Sequence, residues 1–168
     1  RLGPAPPASG AQHPGATTGG GQPSSVSHDG AATADAAIPD VTVEDGTVFD
    51  GDVRITLSVV TRPPVAFTKT RFRVRVEAFA NASADRSGGA PVAIEAGRIS
   101  FEMVMPMGDH RYTLVPGDAG WYEAEVVLPF CKSGNPRWFA TVEGTVGGRP
   151  FGGRFRLDLT PRAAEPSP

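Results

Sequence analysis

The chain has 168 residues, 16 Lys+Arg against 18 Asp+Glu, and a single cysteine. That length suits one ordinary domain with a tail, and one cysteine excludes an internal disulfide. After Asp40 the two signs balance at 15 each, because Arg1 and three carboxylates (Asp29, Asp35 and Asp40) fall in residues 1–40; a neutral body argues against broad electrostatic binding to nucleic acid or anionic lipid.

Residues 1–40 are mostly Ala, Gly, Pro, Ser and Thr with no aromatic. Too few apolar groups are present to offset the entropy of ordering, so a disordered leader is expected. Its alternating Pro-rich and Gly-rich pieces suit a spacer with semi-rigid parts. A small-residue leader ahead of a β domain predicts a tether from an envelope anchor, and hence a periplasmic or cell-envelope location. No apolar run approaches a membrane span, and no signal peptide is visible. Residues 161–168 are expected to fray as a short flexible tail.

Residues 41–160 read as β throughout. Val53, Ile55, Leu57 and Val59 alternate with polar neighbours, then Phe72, Val74 and Val76 alternate with Arg71, Arg73 and Arg75. Such period-2 patterning puts one face inward and one outward. After a loop at 81–89, Ile99, Phe101, Met103 and Met105 share a face, which makes Met103 and Met105 core residues by pattern. Tyr112 to Val115 is a short strand, and Pro116-Gly117-Asp118 is a turn signature. Tyr122, Ala124, Val126 and Leu128 form the next apolar face. Trp138, Ala140, Val142 and Val146 follow, then Phe155, Leu157 and Leu159. Gly147-Gly148 between the last two strands suits a two-residue hairpin turn, which needs positive φ at both positions.

About seven strands with short turns predict an all-β fold, an antiparallel immunoglobulin-like β-sandwich, with a small closed barrel as the competing architecture. Glu102, Glu123, Glu125 and Glu143 occupy outward positions. Cross-strand ion pairing therefore accounts for the Arg71/Arg73/Arg75 ladder better than a phosphate track does.

Chemistry concentrates in Met103-Val104-Met105-Pro106-Met107-Gly108-Asp109-His110, which holds all three methionines. Thioethers beside an imidazole suit copper, above all Cu(I). Following strand direction, the loops carrying Met107, His110 and Cys131 fall at one end of the sandwich, a usual place for binding groups. Met107 lies off the strand pattern as either an exposed ligand or a cap over the core. Cys131 is either an inert buried thiol or a thiolate favoured by Lys132 and Arg137. His13 and His28 fall in the leader and receive no role. One histidine is too few for a blue-copper centre, and His110 to Cys131 matches no zinc spacing. Asp109 and His110 are adjacent, so on a strand they point apart and make a poor catalytic dyad. A non-catalytic domain is expected; an enzyme would need a concave polar pocket around His110. The alternative class, a protein-interaction or scaffolding module, predicts an exposed apolar patch that includes Trp121 or Phe139.

Met105-Pro106-Met107-Gly108-Asp109-His110, Gly120-Trp121-Tyr122-Glu123, and Ser133-Gly134 with Trp138 resemble the YtkA-like domain of bacterial envelope proteins, over about residues 72–159. The resemblance implies an immunoglobulin-like fold and an envelope location. Related FixH-like proteins occur alongside cytochrome oxidase assembly and copper handling, which implies copper as the cofactor or cargo and a respiratory-oxidase-associated protein as partner. By position it implies Met105, Met107 and His110 as metal-facing residues. At Cys131 relatives carry methionine, so a substituted soft ligand is implied there.

Overall fold

A computed structural model describes residues 38–79 and 88–163. The expected leader to residue 37, the histidines in it, residues 80–87 and the last five residues of the expected tail lie outside the described residues. Strands β1 (Gly46–Asp50), β2 (Val53–Val59), β3 (Thr70–Ala78), β4 (Ala90–Pro91), β5 (Glu95–Glu102), β6 (His110–Thr113), β7 (Val115–Pro116), β8 (Tyr122–Val126), β9 (Arg137–Val146) and β10 (Arg149–Asp158) follow in chain order.

They form two antiparallel sheets. One runs β1-β2-β3-β8-β7, with β4 on β3, and the other runs β10-β9-β5-β6. With β2, β3, β5, β6, β7, β8, β9 and β10 read as A, B, C, C′, D, E, F and G, this is the A-B-E-D and C′-C-F-G order of an immunoglobulin-like sandwich. Strand β1 is an addition outside A. The patterning read from sequence explains the core. Ile55, Leu57, Phe72, Val74, Val76, Ile99, Val126, Trp138, Ala140, Val142, Phe155 and Leu157 are all buried. Phe72 of one sheet meets Phe101 of the other with ring centroids 4.9 Å apart at 60°, an edge-on contact that adds about 0.5–1.5 kcal/mol to simple burial.

The strand count differs from the expected seven because short pieces were hidden in irregular sequence. The stretch read as one strand from Tyr112 to Val115 is β6 and β7, which belong to different sheets. Leu114 donates from its amide to Gly97 on β5, and the next residues pair with β8. One run of chain therefore switches sheets and closes that side of the sandwich. At Gly147-Gly148 φ is +56° and +75°, as the two-residue turn requires.

The other side is closed by the chain entering the domain. Val41 donates to the Arg156 carbonyl and Arg156 to that of Pro39, each at 2.9 Å, so this segment runs parallel to β10.

Three aspartates tie such edges together. Burial pushes Asp40 up, but Thr42 and Arg156 outweigh it and leave the carboxyl below its ordinary range. Asp45 is likewise raised by burial and lowered further by Arg62 and Ser58. Arg149 lowers Asp52. Folded values below unfolded ones stabilise above the ordinary carboxylate range, and that contribution fades as pH falls through it. The melting midpoint is therefore expected to stay level down to about pH 5 and to drop below about pH 4. Asp40→Asn should flatten the drop in scanning calorimetry, and a midpoint level to about pH 3 would refute the assignment.

Candidate functional site at the loop end

Strand directions decide which loops meet. β5 and β8 run one way, and β6 and β9 run back, since each is antiparallel to its partner. The β5–β6 loop (103–109) and the β8–β9 loop (127–136) therefore share an end, as the sequence predicts. The β2–β3 loop (60–69) joins them: Phe67 donates to Leu128, Ala66 to Thr160, and Thr160 to Pro64. Segment 42–45 lies there too, because Asp158 donates to the Thr42 hydroxyl.

Met105, Met107, His110 and Cys131 all stand at this end, each in a different setting. The alternating pattern places Met103 and Met105 in the core; only Met103 packs against it, and Met105 is 56 % exposed. The ladder explains the difference. Strand β5 ends at Glu102, one residue past the last rung to β6, Phe101 opposite His110. Beyond that point the chain must turn, and Pro106 cannot donate to a ladder. Met107 is half-buried and packs against the core edge, so it caps the core with part of its surface still open to solvent.

His110 closes this loop. Its Nε2 lies 3.0 Å from the Met107 carbonyl oxygen. A carbonyl only accepts, so in the neutral ring Nε2 carries the proton and Nδ1 keeps its lone pair. The imidazole meets Trp138 at 5.2 Å with the rings at 86°. Trp138 is buried, and its Nε1 has no hydrogen-bond partner among the described residues.

Cys131 is buried, with Sγ 3.0 Å from the Ser133 hydroxyl oxygen. The Ser133 hydroxyl and then its amide hold the thiol below its ordinary range. The sequence pointed to Lys132 and Arg137 for that effect. Instead Arg137 pairs with Asp158 at 3.1 Å, and Lys132 is exposed. The structure thus brings His110 to Met107 and Trp138, and Cys131 to Ser133. Among the described residues no three imidazole, thiol or carboxylate side chains gather where a metal ion could sit. A soft-metal site here would rest on thioethers and one imidazole, a donor set that fits Cu(I) and not zinc.

A cleft of about 410 Å³ lies beside His110, lined also by Ser100, Glu102, Asp109 and Arg111. It is concave and polar, and each of its carboxylates is held in an ion pair. Asp109 pairs with Arg111 at 3.2 Å and Glu102 with Arg154 at 2.9 Å. Among the described residues no carboxylate pairs with the imidazole, whose ring nitrogen turns to the Met107 carbonyl.

On the outer sheet face the arginine ladder is ion-paired. Arg73 reaches Glu123 at 3.1 Å, Arg71 lies 3.7 Å from the same carboxylate, and Arg54 holds Glu77 at 2.7 Å. The aromatic patch expected at Trp121 or Phe139 is not exposed. Arg73 stacks on Trp121 at 5.0 Å and Arg154 on Phe139 at 4.5 Å, and Phe139 is buried.

Exposed apolar side chains collect elsewhere, at an end where sequence reasoning expected no apolar patch. Val43, Val60, Phe67, Val104, Met105 and Val127 all belong to the loop end. Phe67 is 55 % exposed with φ of +57°, a conformation that costs a bulky residue about 1–2 kcal/mol. The available signal was an aromatic residue inside a Pro-rich connection, off both flanking strand patterns. Among the described residues no helix is long and apolar enough to cross a membrane.

No family model matches the chain, and neither does any curated protein or solved structure.

Proposed function

We propose that the chain is a non-catalytic accessory domain of the cell envelope that binds Cu(I) through Met105, Met107 and His110. One observation carries this reading. His110 folds back onto the Met107 carbonyl, so one short loop presents two thioethers and an imidazole whose Nδ1 keeps its lone pair. The ion, as cargo, supplies a soft acceptor for those donors. The chain's part is to hold the imidazole tautomer and to keep Met105 in reach of solvent. Cys131, buried against Ser133, is left out of the set.

Anaerobic titration with Cu(I) is expected to show saturable binding of one ion per chain, weakened about tenfold or more in Met105→Ala and in His110→Ala. Cys131→Ser should bind as the parent does. Because Trp138 touches His110, indole emission should fall on binding, also in Trp121→Phe. Binding that is absent, or equal in all variants, refutes the proposal.

A second reading takes the same end as a contact surface for an envelope or respiratory-oxidase-associated partner. It is favoured by the exposure of Val104 (80 %) and Met105, side chains that a solvated turn does not need.

A further inference from the structure

The β2–β3 loop carries a contradiction in its own chemistry. At Phe67 the backbone is left-handed, with φ of +57°, where glycine or asparagine is at ease and a bulky side chain is strained. The side chain carried on this strained backbone is not buried, the residue being 55 % exposed. Neither backbone geometry nor the core asks for phenylalanine here. Strain kept in place by surrounding bonds points to use of the side chain, and Phe67 is held by its amide bond to Leu128, with Ala66 bonded to Thr160 beside it.

Phe67 has company. Val43, Val60, Val104, Met105 and Val127 are exposed at the same end, and they come from separate segments of chain. The cations of the end complete the picture. Both lysines of the chain, Lys69 and Lys132, lie in these loops. Lys132 and Arg162 are exposed, and neither has a carboxylate partner among the described residues. Lys69 is 77 % exposed and shares the Glu125 carboxylate, at 3.7 Å, with Arg71. Of the local carboxylates, Asp45, Glu102, Asp109, Glu125 and Asp158 each stand within ion-pair distance of a cation, which leaves Glu44 against Lys132 and Arg162. The body is neutral as a whole, but the unneutralised charge around the apolar tips is mainly positive.

We propose that this end seats on an anionic lipid surface. Phe67 and its apolar neighbours enter the acyl boundary, and Lys69, Lys132 and Arg162 reach the headgroups. The proposal rests on the second reading above, a contact surface at the loop end, and owes nothing to copper.

Vesicle co-sedimentation of the full chain, with a copper chelator present, tests it. Vesicles of equal parts phosphatidylglycerol and phosphatidylcholine are compared with phosphatidylcholine alone. Binding is expected to the mixed vesicles, and to fall about tenfold or more in Phe67→Gly and in Lys69→Glu/Lys132→Glu. Phe67→Gly relieves the backbone strain, so its loss of binding at an unchanged or higher melting midpoint is not a folding defect. No binding, equal binding to neutral vesicles, or full binding by Phe67→Gly overturns the proposal. If vesicles fail while sedimentation velocity shows a self-association that Phe67→Gly abolishes, the lipid assignment falls and the contact surface stands, with a second copy as its occupant.

Discussion

Trp138→Ala is expected to cost about 3–5 kcal/mol, a large share of the stability of a domain this size. The indole is 1 % exposed at the start of β9. Removing it opens a void under the loop end that strands cannot fill without sliding their ladder, and it strips the edge-on partner from His110. Trp138→Phe separates shape from polarity. The indole N–H has no acceptor among the described residues, so deleting it forfeits no hydrogen bond there, and the expected cost is only about 1–2 kcal/mol of lost contact. Urea unfolding of both variants checks the pair. A Trp138→Ala cost below about 1 kcal/mol would show that the site collapses freely and is not a packed core position.

Phe72→Ala should be equally severe, at about 3–5 kcal/mol, because this ring joins the two sheets through Phe101 and is fully buried. Phe139→Ala provides the contrast. That ring is also buried, but it stands on the outer face of β9 beneath Arg154. Water can enter from outside once it is gone, and the arginine stem can settle into the gap. Its expected cost is about 1–2 kcal/mol. Equal losses at the two positions, measured by thermal unfolding, would contradict this assignment of inner and outer faces.

The fold was legible where one residue type repeats with period two against a buried face. Val53 to Val59 and Phe72 to Val76 alternate because a neighbouring strand lies on each edge and the other sheet lies on one face. Met105 was misread for a definite reason. Apolar alternation continues past Glu102, but a strand persists only while a partner supplies rungs, and the partner's register is a property of distant sequence. The same limit hid the division of Tyr112 to Val115 between two sheets, since nothing local marks the residue at which Leu114 gives way to a new neighbour.

The site was legible in part. Direction alone placed the methionine loop and Cys131 at one end, because hairpins reverse the chain predictably. The partners inside that end were not readable. Ser133, two residues from Cys131, engages the thiol, whereas the nearby cations turn to solvent or to Asp158. Phe67 escaped notice because exposure and positive φ are invisible in composition. Its Pro-rich surroundings read simply as a connection.

The parallel seam between Pro39–Val41 and β10 has a mechanical consequence. Chain leaves this seam in opposite directions, toward residue 38 at one extreme and toward residue 163 at the other. Tension between those points loads the bonds at Val41 and Arg156 lengthwise, in shear, so that they resist together and do not peel apart singly. The Asp40–Arg156 ion pair, at 3.2 Å, bears on the same seam. A pull along the chain is therefore resisted at the very place where the described fold begins.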